Sequence, residues 1–151
     1  MHLDTQFSIF MVNKPGVLAR ILTALAEAKV NIVAMTMMDS MEHGVMRLVG
    51  SGAAHVREVL TKLNLQFSET DVLCVNLPNK AGAFADVTER LAKAHINIAY
   101  AYCTAGARGG RTTGVLKVAD VKKSMKVLSG HADATHAKTD NNVRRSPSAR
   151  K

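Results

Sequence analysis

Asn13-Lys14-Pro15-Gly16-Val17-Leu18 opens a stretch that runs through a periodic apolar segment to Val30-Asn31-Ile32. Sixty-six residues later the chain reads Asn79-Lys80-Ala81-Gly82-Ala83-Phe84, and then Ile96-Asn97-Ile98. Between residues 13 and 32, nine of twenty positions are identical at that offset. A long period present in two copies marks a duplicated domain, because a solenoid needs at least three repeats. Each copy reads in the same order: apolar strand, Asn-Lys-x-Gly turn, amphipathic helix, Asn-Ile, apolar strand.

Outward from the first turn, Gln6–Val12 is apolar on nearly both faces and predicts a strand buried on both sides. Pro15 suits a helix start, where its missing N–H would be unpaired anyway. Leu18, Ile21, Leu22, Leu25 and Ala28 follow at helical spacing. Val30–Met38 and Gly44–Gly50, joined by a polar turn at 39–43, predict a hairpin. Val56, Val59, Leu60 and Leu63 mark a second helix, and residues 65–67 a short strand. The second copy repeats this with strand Val72–Leu77, helix Ala81–Ala94, and a hairpin of Ile96–Thr104 and Arg111–Val118 around a Gly-rich turn. Asp120 is a good N-cap for a last helix carrying Val121, Met125 and Leu128.

Each copy therefore reads β-α-β-β-α-β, the ferredoxin-like order. The expected fold class is α+β, with two such domains packed as a pair. The expected boundaries are 1–69, 70–130 with a weak or missing fourth strand, and a basic, disordered tail at 131–151. Units of this size are marginal alone, so the copies should share a core or dimerise.

The net charge of +8 divides unevenly. Residues 129–151 hold five basic and two acidic residues, and the remaining +5 is dispersed over residues 1–128. Single-strand nucleic-acid binding wants a basic groove with aromatic platforms, whereas aromatics are 4% here and Trp is absent. Nucleic acid is therefore not an expected partner. No apolar run approaches the ~18 residues of a membrane span, and the first residues lack signal-peptide character. Cys74 and Cys103 show no metal or redox spacing, which favours a reduced, cytoplasmic setting.

Catalytic signals are missing. There is no nucleophile elbow and no Walker loop. His131 and His136 do not make a supported metal pair, and no catalytic residue, metal or cofactor is expected. The eight methionines read as core or interface filler.

The two turns are different. A helix N-terminus offers unpaired N–H groups and partial positive charge, which suits a carboxylate. Gly16 and Gly82 permit close approach of a ligand to the backbone. Asn13 and Asn79 carry a donor and an acceptor on one carboxamide, a match for the ammonium end of a zwitterion. Asn31 and Asn97 open the following strand, where a second carboxamide would complete the site from a facing domain. The competing reading is structural: each Asn caps its turn and each Gly supplies a dihedral.

Asn13-Lys14-Pro15-Gly16-Val17-Leu18 with Val30-Asn31-Ile32, repeated as Asn79-Lys80-Ala81-Gly82-Ala83-Phe84 with Ile96-Asn97-Ile98, resembles the ACT domain, a small-molecule regulatory module of amino-acid metabolism. The likeness spans residues 5–128 and is greatest to stand-alone tandem ACT proteins. It implies side-by-side domain pairing and amino-acid binding at domain interfaces. By that resemblance the ligand-binding residues are Asn13, Lys14, Pro15, Gly16, Val17, Leu18, Asn31 and Ile32, with Asn79, Lys80, Ala81, Gly82, Ala83, Phe84, Asn97 and Ile98. Serine-binding members use a His two residues before the turn, where this chain has Met11 and Leu77. Ala81 in place of the motif Pro predicts a looser second turn. The expected protein is a homodimeric, non-enzymatic, amino-acid-binding regulator that signals to a metabolic enzyme. The alternative is a detached regulatory subunit of one biosynthetic enzyme, of the aspartate kinase or acetohydroxyacid synthase type.

Overall fold

The computed structural model describes residues 1–38, 43–104 and 110–130. The expected turns at 39–43 and 105–110 fall largely outside these residues, and the tail at 131–151 wholly so. The element order is β1 (His2–Val12), α1 (Val17–Glu27), β2 (Ile32–Met38), β3 (His43–Gly50), α2 (Ala53–Lys62), β4 (Gln66–Pro78), α3 (Ala83–Lys93), β5 (Ile98–Cys103), β6 (Arg111–Val118) and α4 (Val121–Ser129). The predicted alternation of strands and helices is present in both copies, and Asp120 caps α4 by accepting from the Lys123 N–H at 2.9 Å.

All six strands form one antiparallel sheet in the order β2-β3-β1-β4-β6-β5. The short strand expected at 65–67 and the strand at 72–77 are one uninterrupted element, β4, so the expected 69/70 boundary falls inside it. β1 and β4 are the equivalent strands of the two copies, and they pair with each other through His2↔Cys74 to Phe10↔Gln66. Thr5 faces Asp71, its own counterpart at the 66-residue offset, so a pseudo-twofold axis passes through that pair. In the first copy the place beside β1 belongs to the start of β4. In the second copy the same place, beside β4, is taken by His2–Asp4 of β1.

Odd-numbered residues of β1 and β4 face the helices. Phe7, Ile9 and Met11 pack with Met46, Leu48, Ile21, Leu25, Val56 and Leu60 under α1 and α2. Leu73, Val75 and Leu77 do the same with Leu116, Val118, Val87 and Leu91 under α3 and α4. The other face is covered by the sheet itself. The sheet curls until β2 touches β6, four places away. Ala34, Val49, Val72, Cys74 and Val115 form a third buried cluster there, with Tyr102 against it.

One feature of β1 departs from its predicted two-sided apolar character. Gln6 is fully buried on the concave face. Its amide donates to the Tyr100 hydroxyl at 2.8 Å and its Oε1 accepts from the Tyr102 hydroxyl at 3.0 Å. A buried amide is tolerable only when paired in this way. The Arg47 guanidinium stacks 3.8 Å from the Tyr100 ring centre and roofs the same seam. Burial pushes the Tyr102 hydroxyl well above its ordinary range, so it stays a donor at any working pH.

Candidate functional site

The two turns are built alike, bond for bond. In the first, the Lys14 N–H donates to Val12 O, Val17 N–H to Lys14 O, and Arg20 N–H to Gly16 O, at 3.0, 3.3 and 3.0 Å. In the second, Lys80, Ala83 and Asp86 repeat these bonds to Pro78, Lys80 and Gly82 at 2.9, 3.3 and 3.0 Å. Gly16 and Gly82 sit at φ +87° and +84°, in the left-handed region that glycine occupies without penalty. The looser second turn expected from Ala81 is therefore not found. Pro15 lies two residues ahead of α1, not in its first turn, so the backbone pattern does not depend on its ring.

Gly16 and Gly82 are themselves the N-caps of α1 and α3, and as glycines they make no side-chain cap bond. The N–H groups of Leu18 and Ala19, and of Phe84 and Ala85, belong to first turns, where intrahelical acceptors do not exist. Asn13, Lys14, Pro15, Gly16, Asn79, Lys80, Ala81 and Gly82 are all exposed. Beyond Gly16 and Gly82, a carbon at the Cβ position would meet nothing within 4 Å. Open space at a helix start is what an incoming carboxylate needs.

Asn31 and Asn97 are exposed, each just ahead of an edge strand. The Asn31 N–H donates to the Ser51 hydroxyl at 2.9 Å, and its carbonyl accepts from the Ser51 N–H at 2.8 Å. Within one chain the structure does not bring Asn31 to Asn13. Val12 pairs with His43 and Ile32 with Gly50, seven residues along β3. At ~3.4 Å per residue the two ends lie roughly 24 Å apart. Asn97 and Asn79 are placed in the corresponding way.

The two turns differ in what surrounds them. A cavity of about 740 Å³ opens at the second turn, lined by Lys80, Ala81, Gly82 and Ala83 together with Asn76, Asp86, Arg90 and Arg111. Arg111 donates from Nε to the Asn76 side chain at 2.8 Å and from Nη2 to the Asn76 carbonyl at 3.1 Å. Arg90 donates to the Val127 and Leu128 carbonyls at 2.7 and 2.9 Å and lies 3.8 Å from Asp86. The corresponding space in the first copy measures about 380 Å³ and is partly filled by Asn64, Leu65 and Gln66, where the chain enters β4. It touches Val17 but none of residues 13–16. At the 66-residue offset, Asn76, Asp86, Arg90 and Arg111 replace Phe10, Arg20, Ala24 and Val45. These four polar positions were missed in the sequence, and the contrast between the copies was the signal that marks them.

A family model described as an ACT domain pair matches residues 2–135. The chain belongs to the ACT domain pair family. No curated protein matches it at a significant level. Among solved structures it is similar to protein BT0572 from Bacteroides thetaiotaomicron, at 26% identity over 85% of this chain and 88% of that one, with a TM-score of 0.77. It is also similar to the ligand-free regulatory subunit of aspartate kinase from Thermus thermophilus, at 12% identity over 86% and 97% of the two chains, TM-score 0.62. The corresponding subunit from Thermus flavus gives 15% identity over 85% and 93%, TM-score 0.55. The last two likenesses are of fold. Among the described residues of this ACT pair, no helix is long and apolar enough to cross a membrane.

Proposed function

We propose that this ACT pair is a non-catalytic regulatory protein that binds a free amino acid, with the second turn as its principal seat. The supporting observation is the 740 Å³ cavity lined by Lys80–Ala83 at the start of α3, whose walls also carry Arg90, Arg111 and Asp86. The ligand carboxylate would meet the first-turn N–H groups of α3 with Lys80 and Arg111 beside them. The ammonium would meet the Asp86 carboxylate and the Asn79 carboxamide oxygen. Charge-assisted bonds of this kind are about twice as strong as neutral ones.

The first turn offers the same backbone with less enclosure. Its Asn13 would be completed by Asn31 of a second copy, since Asn31 of the same chain is at the far end of the sheet. Ile32, Met35, Met37 and Met38 on the edge strand β2, with Phe10 and Val12, are exposed apolar residues suited to that contact. Such a dimer would pass ligand occupancy to a metabolic enzyme in the cytoplasm. A detached regulatory subunit of one enzyme, of the aspartate kinase or acetohydroxyacid synthase type, remains the alternative. A catalytic chain that co-purifies would favour it.

The test is a thermal-shift screen of the twenty amino acids followed by calorimetry. A ligand at 100 times its dissociation constant adds about 2.7 kcal/mol of stability if it binds only the native state. Asn79→Ser and Arg111→Ala should each weaken binding by roughly 1–3 kcal/mol. If no amino acid shifts the melting temperature, or if both variants bind like the parent, the reading is wrong.

A further inference from the structure

We propose that His2, Asp4 and Cys74 form a binding site for a divalent transition-metal ion, with zinc the ion their chemistry suits best. None of the three belongs to either turn. Alternation along β1 places His2 and Asp4 on the same face, and the β1–β4 register sets His2 directly opposite Cys74. One imidazole nitrogen, one carboxylate oxygen and one sulfur thus converge, all within 4.8 Å of one another.

The spacing fits a tetrahedral ion. Zinc–nitrogen bonds of ~2.0–2.1 Å and zinc–sulfur bonds of ~2.3 Å put neighbouring ligand atoms roughly 3.3–3.7 Å apart. His2 Nε2 and Asp4 Oδ2 already stand 3.5 Å apart. The sulfur needs a movement of about 1 Å at most, within reach of a side-chain rotation. The carboxylate is oriented for the task, because Asp4 Oδ1 accepts the Thr5 N–H at 2.8 Å and leaves Oδ2 facing His2. Outer bonds of this type fix the direction of a metal ligand. The His2 side chain is 61% exposed, so an ion enters from that side and keeps a water as fourth ligand, while Cys74 forms the buried floor. Nitrogen, oxygen and thiolate donors together suit zinc, whereas magnesium and calcium prefer oxygen alone.

Binding exchanges a proton for the ion. Burial, aided by the Asp4 carboxylate, pushes the Cys74 thiol up to about 11, so the free protein carries it protonated. The metal takes the thiolate, and the S–H proton leaves to solvent. The ion would clip the first residues of β1 to β4, at the place where β1 stands in for the second copy's fourth strand.

Cobalt(II) and zinc titrated into the full chain, stripped with chelator and free of an N-terminal tag, provide the test. The expected result is one cobalt per chain with a thiolate-to-cobalt charge-transfer band, displaced by zinc. Cys74→Ser should abolish the band. His2→Ala and Asp4→Asn, both at accessible positions that leave the core intact, should weaken binding about a hundredfold or more. The proposal is overturned if the band is absent, if it survives in Cys74→Ser, or if both accessible variants bind like the parent.

Discussion

Replacing Gly16 and Gly82 by alanine isolates the energetic cost of the two turns. At both positions φ is strongly positive, +87° and +84°, yet an added Cβ would meet nothing within 4 Å. Crowding is thus excluded, and only the intrinsic cost of a left-handed L-residue remains, about 1–2 kcal/mol. Gly50 and Gly114 provide the contrast. An added Cβ at Gly50 would lie 2.9 Å from Val56 Cγ2 and 3.0 Å from Val30 Cγ1, and at Gly114 it would lie 2.7 Å from Phe84 Cε2. Their alanine variants should cost roughly 1–3 kcal/mol through overpacking. Urea denaturation at constant m-value measures all four. Asparagine separates the causes, because it tolerates the left-handed region. Gly16→Asn and Gly82→Asn should recover about half of the alanine loss, whereas Gly50→Asn and Gly114→Asn should be worse than alanine. The converse applies at Lys29 and His95, which hold φ +57° and +56° just after α1 and α3. There the Val30 and Ile96 N–H groups reach back to the Leu25 and Leu91 carbonyls at 2.9 Å, a Schellman closure that normally carries glycine. Lys29→Gly and His95→Gly should each stabilise by up to about 1 kcal/mol. Alanine at Gly16 or Gly82 without loss of stability would refute the left-handed turn, and with it the close backbone approach that the proposed ligand site requires.

Three further outcomes follow from particular contacts. Tyr102→Phe removes the hydroxyl that donates to the buried Gln6 Oε1 and should destabilise by about 1–3 kcal/mol, with Gln6→Leu in the same background recovering part of the loss in a double-mutant cycle. Arg57 holds the Glu69 carboxyl below its ordinary value of 4.5 through two 2.7 Å bonds. Because that value is lowered by folding, the parent's advantage over Glu69→Gln should be complete above about pH 4.5 and vanish as pH falls through the depressed value, as read from urea midpoints across pH. Light scattering at micromolar concentration should report a dimer or larger assembly, and Met35→Glu with Met38→Glu on the exposed edge β2 should shift it toward monomer; a parent that is already a clean monomer rules out the two-chain site at the first turn.

The sequence carried the fold because its signals were local and occurred twice. The 66-residue repeat, the helical spacing of Ile21 and Leu25, and the Asp120 cap each depend on neighbours within a few residues. What it could not carry depends on register between distant strands. Whether β4 is one strand or two is decided by its partner β1, since the polar run Ser68–Asp71 has no strand-forming pattern of its own and is held straight by Thr5–Ser8 opposite. The same pairing puts Gln6 beneath Tyr100 and Tyr102, and His2 across from Cys74. No spacing rule within either strand announces these contacts.

The second turn's cavity has a cause of the same kind. In the first copy, Asn64–Gln66 approach the start of α1 because the chain must enter β4 there. In the second copy the described residues that line the corresponding space are different: Met1 and Leu128, with the polar set Asn76, Arg90 and Arg111. Two turns alike in backbone thus adjoin one larger, charged cavity and one smaller, less polar one. The duplicated motif supplies the helix N-terminus twice, and the proposed amino-acid site is assigned to the copy whose surroundings carry the greater volume and charge.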